Sequence, residues 1–111
     1  MPRHPGNRTR VPTPRRKARA RLWQSMRVLR VFDTPSLCAT AEAGADNAKR
    51  YVRALERVGV VRLQRPRQSG VKGGHAVHRL IRDLGPHAPR VQTDGRVWDP
   101  NADQLLETID E

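Results

Sequence analysis

The chain has 111 residues, enough for one small core with tails but not for two. Only 36% of it is hydrophobic, and no apolar run approaches the length of a membrane span. The formal net charge of +11 points to a polyanionic partner (DNA, RNA or an anionic surface), while saying nothing about fold.

That charge is unevenly placed. Residues 1–21 carry a net +8, residues 22–82 a net +8 and residues 83–111 a net -5. The last block is therefore the poorest place for an anionic ligand. The single cysteine, Cys38, allows no intramolecular disulfide, which fits a reducing compartment. The first residues lack the apolar middle of a secretory signal, and Pro2, Pro5, Pro12 and Pro14 oppose the amphipathic helix of a transit peptide. A cytoplasmic, nucleoid-associated location is expected.

In chain order, residues 1–16 are rich in Pro, Arg and Thr and nearly free of apolar side chains. Such a segment buries too little surface to offset its ordering entropy, so a disordered basic arm is expected. It would either track phosphates or serve as a solubilising tail. A first helix is expected over Lys17–Val31, with Leu22, Met26 and Leu29 at helical spacing and Trp23 beside them. Trp23 and Phe32 read as core or interface residues. Thr34-Pro35 reads as N-cap and first helical residue of a second helix carrying Leu37, Cys38 and Ala41. Cys38, among small apolar neighbours, reads as a buried structural thiol.

Glu42-Ala43-Gly44 breaks the pattern and predicts a turn, with Gly44 or Asp46 capping a third helix over 45–58. There Ala48, Val52, Leu55 and Val58 share a face, and Gly59 stops the helix. Residues 60–65 and 76–82 read as two strands around a glycine-rich basic loop. Gly70 to Gly74 lacks the spacing of a phosphate-binding P-loop. His75 and His78 have no Cys or carboxylate cluster to complete a metal site. Residues 83–111 form an acidic extension, with a hairpin expected at 90–98 around Asp94-Gly95. Trp98 could pack back onto the domain, and 101–111 reads either as a short helix through Leu105, Leu106 and Ile109 or as disordered chain.

The third helix carries the functional reading. Asn47, Lys49, Arg50 and Arg53 fall off its apolar face and suit contacts to phosphates and base edges. The plain alternative is a surface helix with a solvated basic side. The order helix, helix, turn, helix, two-stranded hairpin resembles the winged helix-turn-helix superfamily, including MarR-like and GntR-like regulators. Leu37-Cys38-Ala39-Thr40-Ala41 resembles the opening of that family's second helix. Ala48, Val52 and Leu55-Glu56-Arg57-Val58-Gly59-Val60-Val61 resemble the rest without a gap. Glu42 stands where the family commonly has glycine, Ala43 where it has Ile or Val, and Gly44 where it has Ser.

The resemblance implies an α+β fold over 17–82, three helices plus a two-stranded wing, flanked by the arm (1–16) and the acidic extension (83–111). It also implies that the third helix enters the major groove of double-stranded DNA. Ala45, Asn47, Lys49, Arg50 and Arg53 would then meet the groove. Arg65, Arg67 and Lys72 of the wing would grip phosphates. Arg15, Arg16, Lys17, Arg19 and Arg21 would add salt-sensitive affinity. A small phage- or prophage-type transcriptional regulator is expected. Its partners would be duplex DNA and, as for many regulators of this kind, a second copy of the chain. Two alternatives stand beside it: an architectural nucleic-acid-binding protein without sequence readout, and a winged-helix protein-interaction module. No nucleophile–base pair, carboxylate dyad or metal cluster suggests an enzyme or a cofactor, and no effector-binding domain follows the wing.

Overall fold

The structure, a computed structural model, describes residues 14–70 and 72–109, with the side chains of residues 14 and 15 outside the description. It is an α+β arrangement of three helices and two small antiparallel three-stranded sheets.

Helix α1 spans Pro14–Leu29, three residues earlier than the sequence pattern suggests. A proline in the first turn is tolerated, because its missing N–H would have had no partner there. Residues 14–16 of the expected arm therefore open this helix, and residues 1–13 lie outside the described residues. Leu22, Trp23 and Met26 are fully buried along its inner face. The helix ends before Val31 because Arg30 turns left-handed (φ 67°) while its N–H bonds the Met26 carbonyl at 2.8 Å.

Strand β1, Val31–Asp33, falls where the sequence pattern marks no strand. Helix α2 follows immediately over Thr34–Ala41. Its N-cap is Asp33 rather than Thr34: the Asp33 carboxylate accepts the Ser36 N–H at 2.8 Å, and Pro35 sits within the first turn. That bond to the Ser36 amide holds the Asp33 carboxyl below the usual carboxylate range. α2 ends with Glu42 left-handed at φ 55°, a conformation that glycine adopts without strain.

Helix α3 spans Ala45–Arg57, with Gly44 as N-cap and no side-chain cap bond. Ala48, Val52 and Leu55 are buried as expected, and Tyr51 and Ala54 widen the stripe. Burying each such Val or Leu side chain is worth about 1.5–3 kcal/mol, so packing, not propensity, holds this arginine-rich helix in place. Gly59 takes φ +78° just past its end.

Strands β2 (Val61–Arg65) and β3 (Val77–Leu80) form the hairpin, and β1 pairs on the other side of β3, giving the order β1-β3-β2. A register shift between Leu63 and Arg65 puts a bulge at Gln64. Phe32 and His78 pair across β1 and β3 with their rings stacked 6.3 Å apart.

The second sheet is built from β4 (Arg90–Val91), β5 (Val97–Asp99) and β6 (Gln104–Leu106) in chain order. The Asp94-Gly95 turn falls inside the β4–β5 hairpin, where Gly95 takes φ +91°. The expected terminal helix is corrected: Gln104–Leu106 pairs with β5 as a strand, and Asp103 just before it is left-handed. Val97, not Trp98, packs into the core, together with Leu106. Three polar links fasten this sheet down. The Trp23 indole donates to the Gly85 carbonyl at 2.8 Å, and the buried Tyr51 hydroxyl donates to the Pro89 carbonyl at 2.7 Å. The Asn101 amide bridges the backbone of His87 and the carboxylate of Asp99.

Candidate nucleic-acid interface

The sequence places Lys49, Arg50 and Arg53 off the apolar face of α3, and in the structure all three are exposed. A helix advances about 100° per residue, so Ala45, Lys49 and Arg53 form one row and Arg50, Arg53 and Arg57 another. Lys49, Arg50 and Arg53 make no hydrogen bond or ion pair among the described residues. Asp46 in the first turn and Arg57 in the last both match the helix dipole.

The other predicted contacts divide sharply. Asn47 is half-buried, and its side-chain oxygen accepts from Arg19 Nε at 2.8 Å. A paired contact to adenine would use the same oxygen, so the bond to Arg19 restricts how Asn47 can meet a base. Arg19 also lies over the Tyr51 ring, 5.2 Å from its centroid. Arg21 donates to the carbonyls of Ala41 (2.8 Å) and Glu42 (3.1 Å), closing the end of α2. Arg19, Arg21 and Asn47 thus hold α1, α2 and α3 together. Arg16 and Lys17 are exposed on α1, and the side chain of Arg15 lies outside the described residues.

Arg65, Arg67 and Lys72 are exposed on the hairpin and its loop. Gly70 and Gly73, both at φ +74°, shape that loop, and the Gln68 N–H bonds the Gly74 carbonyl at 2.7 Å. The sequence reading missed three further cations. Arg62 and Arg79 face each other directly across β2 and β3, an arrangement that repels unless an anion lies between or beside them. Arg57 was hidden as a helix-terminal residue, although its seven-residue spacing from Arg50 marks the same face. Arg53, Arg57 and Arg62 line one groove of about 690 Å³ between α3 and β2, with Glu56, Leu63 and Ile81. His78 Nε2 stands 3.5 Å from a Glu56 carboxylate oxygen, so the acid in this groove has a neighbour of its own.

Cys38 is half-buried rather than enclosed, and burial pushes its thiol pKa up against the opposing influence of Lys49. That shift disfavours the thiolate, the reactive form of the group. Among the described residues no three His, Cys, Asp or Glu side chains gather where they could hold a metal ion, and no helix is long and apolar enough to cross a membrane. No family model, curated protein sequence or solved structure matches this chain.

Proposed function

We propose that the protein binds double-stranded DNA in a sequence-selective way, as a small winged helix-turn-helix regulator with α3 in the major groove. One observation carries the reading: α3 turns its whole apolar stripe to the core and presents Lys49, Arg50 and Arg53 outward without intramolecular partners among the described residues. The order of helices and hairpin supports it, as does the hairpin's own cationic surface beside that helix. Arg53 belongs to both cationic rows of the exposed face, so it and Arg50 are the base readers, with Arg57 and Arg62 on phosphates. Arg65, Arg67 and Lys72 reach the flanking backbone as the wing.

Selection of bound sites from a random duplex library, followed by gel-shift titration at several salt concentrations, tests this. Arg50→Ala with Arg53→Ala should abolish preference for the selected site while the circular dichroism spectrum is unchanged. Unchanged preference in the double variant removes α3 from this role. A second reading, charge-driven binding without sequence readout, rests on Arg62, Arg79 and Arg82, exposed cations that lie off α3. In that case the library yields no enriched site and affinity simply falls with salt.

A further inference from the structure

The chain has two tryptophans, one tyrosine and one phenylalanine. Trp23, Phe32 and Tyr51 are all in the core. Trp98 is not: strand alternation puts it on the opposite face of β5 from the core residue Val97. Trp98 pairs directly with Arg90 on one side and with Leu105 on the other, so these three form a row across the outer face of the second sheet. Arg96, two residues before Trp98, shares that face.

Arg16 from the start of α1 comes to the same place. Arg16, Arg90, Arg96 and Trp98 line an open groove of about 840 Å³ together with Gln92 and Asp94. Asp94 is the one acid among the lining residues, and it is already held by Arg96 Nε at 2.7 Å. The groove therefore keeps a net positive charge although the surrounding 83–111 block is acidic. A half-buried indole flanked by guanidinium groups, with amide and hydroxyl side chains at the rim, matches the chemistry of a nucleotide: a flat base to stack and a phosphate to bind.

We infer that the outer face of the second sheet is a binding site for single-stranded nucleic acid, with an unpaired base stacked on Trp98 and its phosphates on Arg90 and Arg96. Bases inside a duplex are already stacked on one another, so an indole platform selects unpaired ones. This site shares no lining residue with the groove at α3, although Arg57 Nη2 donates to the Gly95 carbonyl between them at 3.3 Å. Engagement of both would let the protein hold a duplex next to an opened or single-stranded stretch.

The test uses the full chain and an eight-nucleotide oligothymidylate. Trp23 is fully buried, so emission changes on titration report Trp98. The expected result is quenching of tryptophan emission. With labelled oligothymidylate followed by anisotropy, affinity should fall about tenfold or more in Trp98→Ala, from the loss of one stacked base. Arg90→Ala with Arg96→Ala should weaken binding and flatten its salt dependence. Arg50→Ala with Arg53→Ala should leave the quenching intact, which separates this site from the duplex-binding face. Unchanged emission on saturation, or oligothymidylate affinity that survives Trp98→Ala but not Arg50→Ala with Arg53→Ala, overturns the inference. Thermal melting of Trp98→Ala checks that the fold is retained, and Trp98→Phe, which keeps a smaller stacking face, should recover part of the affinity.

Discussion

The two sheets have the same number of strands and both reach the core, but they differ in what they send into solvent. The first, β1-β3-β2, has the longer strands, yet most of β2 is exposed and it sends a long basic loop into solvent. The second is made of two- and three-residue strands in the acidic part of the chain, yet it places Val97 and Leu106 in the core. The segment leading into it supplies the acceptors for Trp23 and Tyr51. The first sheet joins core side chains (Phe32, Val61 and Leu80) to an exposed basic strand and loop, and the second adds Val97 and Leu106 to the same core. Lys49, Arg50 and Arg53 of α3 have no hydrogen-bond or ion-pair partner among the described residues, whereas Arg57 Nη2 donates to the Gly95 carbonyl of the second sheet's hairpin at 3.3 Å.

The sharpest way to break this comparison is to exchange the two tryptophans for alanine, one at a time. Trp23→Ala should cost about 3–5 kcal/mol and leave the Gly85 carbonyl without its donor. Trp98→Ala should cost about 1 kcal/mol or less, since it opens no core cavity. Denaturant titration of both variants decides it, and equal losses would mean that the second sheet's outer face is structural after all. The leucines make the next test. Leu106 in the second sheet is 8% exposed and Leu63 in the first is 41% exposed. Leu106→Ala should cost about 2–5 kcal/mol, and Leu63→Ala well under half of that.

Smaller effects lie in the turns that set α2. Removing the cap with Asp33→Ala should cost about 1 kcal/mol. Its pH dependence follows from the lowered Asp33 pKa. The stabilisation is complete above the ordinary carboxylate pKa of about 4 and fades as pH falls through the lower folded value. An asparagine at this position caps without titrating, so the stability advantage of the native chain over Asp33→Asn should shrink between neutral pH and about pH 3 in thermal melts. The smallest change goes the other way. Glu42→Gly relieves a left-handed residue (φ 55°) and should raise stability by about 0.5–1 kcal/mol, read from the same melts.

Much of α3 was legible in the sequence, because three- and four-residue spacing is a local signal and Gly59 marks its end. The Asp94-Gly95 turn was legible for the same reason: its backbone demand is met by its own residues. What was missed depends on partners far along the chain. Val31-Phe32-Asp33 continues the apolar run of α1 in sequence, and only pairing with β3 makes it a strand. The left-handed residue that separates them is an arginine, which carries no turn signal. Leu105, Leu106 and Ile109 fit a helical spacing, and pairing with β5 overrides it. At the candidate site, the exposed cations of α3 followed from periodicity. That Asn47, Arg19 and Arg21 are bonded to one another or to backbone could not be read locally, since their partners lie 20 or more residues away.

The bond from the Trp23 indole to Gly85 spans 62 residues. It therefore sets an order of events during synthesis. Helix α1 can coil as soon as it is made and can pack on α2 and α3 soon after, but the Trp23 indole lacks its acceptor until Gly85 has emerged. Folding that waits on contacts so distant along the chain is slow compared with the making of its helices. In that interval a nascent chain exposes an indole and its apolar neighbours beside a dense run of arginines. Such a species is prone to associate with other chains and with anionic polymers nearby. The acidic segment that carries Gly85 ends that exposure.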